Sequence, residues 1–162
     1  MAEITVTRRT LQIEHVRIDS TKTFAEVEAA LDETVPPIEL SINAALAGVE
    51  EQRAAASERP PKLFVFLKRD HGALLQATGR PAKAVQYEIG NPLAATRVTR
   101  WRLPAALYAP LRVVLYESAT GGATFEYDRP STLFGQFGDE ELTALGREVD
   151  GELEAALRRA AQ

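Results

Sequence analysis

Cysteine is absent from this chain of 162 residues. Disulfides, thiolate nucleophiles and cysteine-ligated zinc or iron–sulfur centres are therefore excluded. Histidine is scarce. His15 and His71 are the only two, and neither has HExxH-type spacing, so no metal site is expected. No apolar run approaches the roughly 18 residues of a membrane-spanning helix. The opening MAEITVTRRT lacks the apolar core of a signal peptide, so the expected location is the cytoplasm. Serine elbow, P-loop, dinucleotide-binding glycine fingerprint and EF-hand are all missing. A large net charge is missing too. The formal value of -4 argues against attraction of the whole chain to nucleic acid or to an anionic membrane, and neither is expected as a partner. The most telling absence is local. Between Ile89 and Tyr116 there is no aspartate or glutamate, yet Arg97, Arg100, Arg102 and Arg112 all fall there.

What is present is an ordinary globular composition, 45% hydrophobic and 26% charged. A chain of this length buries roughly two-thirds of its unfolded surface. A single domain over residues 1–162 therefore needs no covalent staple.

Ile4 to Asp19 reads as extended, with a break in parity between Val6 and Leu11. Thr23-Phe24-Ala25-Glu26 is a capping box, and the helix it starts places Phe24, Val27 and Leu31 on one face until Pro36-Pro37 stops it. Ile38 to Ser57 reads as a second helix. Lys62 to Lys68 is a compact apolar run, read as a central strand. Asp70 caps a short helix from His71 to Ala77, with Gly79 as its terminator. Ala82 to Ile89 is a strand. Gly90-Asn91-Pro92 turns into another helix, with Asn91 as N-cap and Pro92 at the first helical position. Leu103 to Pro110 is a loop with one helical turn. Leu111 to Glu117 and Ala123 to Asp128 form a hairpin around Gly121-Gly122. Asp139 opens a final helix striped by Leu142, Leu145, Val149, Leu153 and Leu157. The order lacks βαβ alternation. It implies an α+β two-layer sandwich, a mainly antiparallel sheet with helices packed on one face.

Several of these segments carry a resemblance. Asp70-His71-Gly72 after a strand, Gly90-Asn91-Pro92-Leu93, Leu107-Tyr108-Ala109-Pro110-Leu111-Arg112-Val113 and Tyr127-Asp128-Arg129-Pro130-Ser131 occur in an order and spacing that resembles the bacterial-type family catalogued as domain of unknown function 302. The best match spans residues 62–138. The resemblance implies a small two-layer α/β sandwich, commonly a homodimer, with residues 36–61 as a helical insertion relative to shorter members. It carries over no reaction and no catalytic residue.

The candidate site residues are His71, Asn91, Arg97, Tyr108, Arg112 and Tyr127. Arginine forks bind carboxylate or phosphate bidentately. Arg97 and Arg100 share a helical face, where the ordinary reading is favourable placement near the helix C-terminus or pairing with the acidic last helix. His71 beside Asp70 is a weak candidate acid–base group, while a cap and a helix-start residue explain both. A haem axial ligand at His71 is chemically allowed but rests on one histidine in a short helix, so no cofactor is expected. Asn91 has a full account as a cap, and Gly90 as a position whose backbone angle other residues resist. The tyrosines suit pocket walls or a subunit seam equally. Gly135-Gln136-Phe137-Gly138 reads as a loop.

These features support a homodimeric module binding a small anionic or aromatic molecule. Two alternatives stay open. One is an enzyme of unknown reaction with His71 as acid–base group and an arginine-stabilised anionic intermediate. The other is a structural or interaction protein.

Overall fold

The computed structural model describes residues 2–38 and 63–162. The helix expected over Ile38 to Ser57, and nearly all of the expected insertion, lie outside the described residues.

Five strands form one antiparallel sheet. They are β1 (His15–Ser20), β2 (Phe64–Asp70), β3 (Ala84–Gly90), β4 (Leu111–Glu117) and β5 (Ala123–Asp128), in the spatial order β1-β5-β4-β3-β2. The helices are α1 (Phe24–Thr34), α2 (His71–Ala77), α3 (Pro92–Trp101), α4 (Pro130–Gly135) and α5 (Glu140–Ala161), with a 3-10 turn over Leu103–Tyr108. The α+β sandwich expected from the sequence is what the chain forms.

Side-chain alternation divides the sheet into two unlike faces. Tyr87 lies opposite Val113, Val113 opposite Tyr127, and Tyr127 opposite Val16, one row across four strands. This row and its neighbours Val85, Ile89, Leu111, Leu115, Ala123 and Phe125 form the main core with α1 and α5. The helices contribute Phe24, Val27 and Leu31 from α1, and Val149, Leu153, Ala156, Leu157 and Ala160 from α5. Burying each large apolar side chain contributes about 1.5–3 kcal/mol. The other face is polar. Arg17, Asp19, Gln86, Glu88, Arg112, Val114, Tyr116 and Glu126 are half-buried or exposed there.

Local signals set most element ends. The Thr23 capping box forms, Asp70 accepts from the Ala73 amide, and Asp139 accepts from the amides of Glu141 and Leu142. The hairpin needs both glycines. Gly121 sits at φ +86°, and a Cβ on Gly122 would collide with the Ser20 carbonyl. Four expectations differ from what forms. The apolar run Lys62 to Lys68, expected as a central strand, supplies β2 at an edge of the sheet, where β3 is its one partner among the five strands. Only His15–Ser20 of the extended N-terminal stretch is a strand; Ile4 and Val6 are exposed and pair with no strand. Residues 130–135 form α4, which buries Leu133 and Phe134, instead of only ending the hairpin. Gly90 is not at positive φ, so its backbone angle does not explain it.

The long helix α5 packs on α4, with Phe134 against Leu142 and Leu145, and the two backbones come closest at Gly146. A Cβ on Gly146 would lie 2.6 Å from Ser131 Cα. One turn on, the buried Asp150 carboxylate accepts the Ser131 amide at 2.8 Å and Arg129 Nε at 3.0 Å. Arg129 also reaches Glu14 at 2.7 Å, which ties the start of β1 to the same point.

Glycine-to-alanine substitution should therefore have opposite signs at two places in α5. Gly146→Ala forces backbone apart and should cost about 1–3 kcal/mol. Gly151→Ala, where nothing lies within 4 Å of the added carbon, should stabilise by roughly 0.5–1 kcal/mol through helix propensity. Urea denaturation midpoints of both variants check this.

Candidate functional site

An apolar cavity of about 120 Å³ opens where α3, the 3-10 turn and the start of β4 meet α4 and α5. The sequence makes this space with small side chains. Asn91 starts α3 by accepting the amides of Leu93 (2.8 Å) and Ala94 (3.2 Å), with Pro92 at the first helical position. This cap turns Ala94, Ala95 and Val98 toward the cavity. Gly90 lines it as well; a Cβ there would rest 3.5 Å from Pro110. Phe66, Leu111, Phe134 and Val149 supply the carbon walls. Tyr108 stands at one side, edge-on to Phe137 with ring centroids 6.3 Å apart. Among the lining residues the Tyr108 phenol is the only ionisable group and Asn91 the only other polar side chain. The walls hold no nucleophile and no acid–base pair. The surface is suited to excluding water around carbon.

Tyr108 also lines a smaller cleft of about 30 Å³ that includes Leu107, Arg112, Asp128 and Leu133. The structure thus brings Asn91 and Tyr108 to one cavity and Arg112 to its neighbour. The other candidates are elsewhere. Arg97 is exposed on α3 and lines neither space. Tyr127 is 4% exposed in the main core, because its register with Val113 puts it on the helix-covered face. Tyr116, three residues along β4 from Val113 of that row, faces the opposite side. His71 begins α2 after Asp70, which pairs with Val85, whereas Asn91 follows Gly90, which pairs with Phe64. At ~3.4 Å per residue, the five steps from Val85 to Gly90 separate the two by about 17 Å. The Asp70 carboxylate caps α2 rather than meeting the imidazole. Arg97, Arg100, Arg102 and Arg112 make no ion pair among the described residues, so the expected pairing with the acidic last helix does not form within the chain.

A second polar constellation, on the open sheet face, involves the other histidine. His15 Nδ1 lies 2.9 Å from Asp128 and its Nε2 lies 3.1 Å from Glu126, while the Tyr116 hydroxyl donates to Glu126 at 2.5 Å. Sequence reasoning passed over His15 because its partners lie more than a hundred residues away. Only the β1–β5 register joins them, with His15 opposite Asp128. Among the described residues no group of three or more histidine, aspartate or glutamate side chains is placed to hold a metal ion.

Hydrogen bonds to Asp128 and then Glu126 raise the His15 pKa above 6.5. The Tyr116 hydrogen bond, and then that of His15, lower the Glu126 carboxyl. A raised histidine pKa means the protonated form is favoured in the folded state. The stabilisation is present below the unfolded value of about 6.5 and is lost as pH rises through the folded value. Asp128→Asn should lower the His15 midpoint in an NMR titration of the ring protons, and should flatten the loss of stability above about pH 6.5.

The solved structures include one similar to this chain, described as the crystal structure of uncharacterized conserved protein DUF302 from Bacillus stearothermophilus. It matches with a TM-score of 0.66 at 20% identity, covering 90% of this chain and 97% of that one, a likeness of fold. No curated protein matches. Residues 16–160 match the family described as Domain of unknown function DUF302, and they include all of the sheet and the described helices but for His15 and Ala161, and every residue lining the cavity: the chain belongs to that family.

Proposed function

We propose that this protein is a binding module for a small molecule with an aromatic or compact apolar part, acting as a homodimer. One observation supports the first half most directly: the carbon-walled cavity of about 120 Å³ between Asn91 and Tyr108. Its size suits one ring, since an engineered apolar cavity of about 150 Å³ takes up benzene. Alanines at positions 94 and 95 leave open a space that larger side chains would fill. Arg112 in the adjoining cleft supplies a cation for an anionic group on the same ligand, with Tyr108 shared between the two spaces. The enzyme reading is less favoured, because His71 lies at the far end of the β2–β3 ladder.

The open sheet face suits the seam of a dimer. Half-buried Val114 and Tyr116 lie among charges of both signs, Arg17 beside Asp19, Glu88 and Glu126. A two-fold axis can set such a mixed surface against itself with opposite charges facing.

Benzene and benzoate serve as probes of the cavity. Both should shift the methyl resonances of Ala94, Ala95 and Val98. Ala95→Leu should abolish these shifts while keeping or raising the melting temperature. Arg112→Ala should weaken benzoate alone. If neither probe moves those methyls in the unsubstituted protein, the cavity does not bind ligands of this class. For the dimer, analytical ultracentrifugation should give twice the chain mass, and Val114→Asp should return the monomer. A monomeric mass at every concentration would remove the dimer and leave the cavity reading standing.

A further inference from the structure

The outward side of α3 and the 3-10 turn combine two features that are unusual on the surface of an acidic protein. Trp101, Leu103 and Leu107 are 62%, 79% and 75% exposed, three large apolar side chains within seven residues. Arg97 and Arg100 precede them in sequence and Arg102 falls between Trp101 and Leu103, all three exposed. None of these guanidinium groups has a carboxylate within ion-pair distance among the described residues, a state they share with Arg8, Arg9, Arg80, Arg112 and Arg159, so all three charges are available to a partner. The core does not need the patch. Val98, Ala105 and Tyr108 make the inward contacts of the same two elements, leaving Trp101, Leu103 and Leu107 facing out. Contiguous exposed apolar side chains with a polar border mark an interaction surface.

From this we infer that the α3 and 3-10 face docks reversibly on an anionic lipid surface. Tryptophan settles at headgroup depth, leucines reach the acyl boundary and arginines meet the phosphates. Other occupants fit less well. A two-fold contact with a second copy would press this wholly basic face against itself, arginine against arginine. Nucleic acid would offer Leu103 and Leu107 no hydrocarbon to enter. The net charge of -4 for the whole chain does not decide the matter. Charges beyond about 8 Å are screened at physiological salt, so the surface that touches is what counts. Three arginines and three apolar anchors make a peripheral attachment, and among the described residues no helix is long and apolar enough to cross the bilayer.

Trp101 is the only tryptophan, so its emission reports directly on the patch. The full chain is titrated with vesicles of mixed phosphatidylglycerol and phosphatidylcholine, and separately with phosphatidylcholine alone. A blue shift with co-sedimentation is expected on the mixed vesicles, tighter than on neutral ones by about tenfold or more and weakening with added salt. Arg97→Gln with Arg100→Gln and Arg102→Gln should remove the preference for anionic lipid. Leu103→Ser with Leu107→Ser should reduce binding to both while keeping the reporter. All five positions are exposed, and circular dichroism verifies that the variants fold. No shift with either vesicle overturns the inference, as does equal binding to neutral lipid. A shift that grows with protein concentration alone also overturns it and assigns the face to a second copy. A shift with polyglutamate but not with vesicles assigns it to an acidic protein.

Discussion

The docking of α5 on α4 at Gly146 and Asp150 is the constraint on which the rest of this protein depends. A missing side chain lets the two backbones meet, and a buried carboxylate one turn later holds them in register. Burying a carboxylate is costly, and here the Ser131 amide and Arg129 guanidinium offset that cost. What the contact confers is position. It sets the stripe of Val149, Leu153 and Leu157 over the sheet, and it brings Phe134, Leu142 and Leu145 against Val98 and Ala105 in a second core. The cavity lies between these two cores, so its walls follow from the same contact.

At the other edge of the sheet a different device is used. Lys68 on β2 reaches Glu28 and Asp32 of α1 and lies 5.3 Å from the Tyr87 ring centre. Partial burial pulls its pKa down, but hydrogen bonds to Asp32 and Glu28 hold the ammonium above its usual range. Burial pushes the Tyr87 phenol up to about 12, so it stays neutral across the physiological range. The edge strand is thus tied to α1 through charge and to the core through an aromatic face. Residues 36–38 add hydrogen bonds along it, Val65 donating to Pro36 and Ile38 to Val65.

Helix α3 links the two proposals. Its inner side, Ala94, Ala95 and Val98, is small and leaves space; its outer end, from Arg97 to Trp101, is basic and apolar at once. The alanines of its inner face leave the cavity open, and the arginines of its outer face, favourably placed near the helix C-terminus, keep their charge free of ion pairs among the described residues. Membership of the DUF302 family brings no reaction to explain them, and chemistry must be argued from these side chains.

By itself the sequence determined what depends on neighbours a few residues apart. The Thr23–Glu26 box, the Asp70, Asn91 and Asp139 caps, the Gly121-Gly122 turn and the periodic stripe of the last helix were all legible, because each is a pattern among residues close in the chain, although Gly122 also answers to the Ser20 carbonyl and the stripe is buried by distant elements. The basic, acid-free stretch was equally plain, and so was the α+β class. Tertiary structure alone decided which way each strand faces. That choice buried Tyr127, turned Tyr116 and Arg112 outward, and joined His15 to Glu126 and Asp128 across more than a hundred residues. It also left His71 a ladder's length from Asn91. The cavity was the least legible feature. Its volume is what remains after several separate elements pack, and no local pattern encodes a difference between packed surfaces.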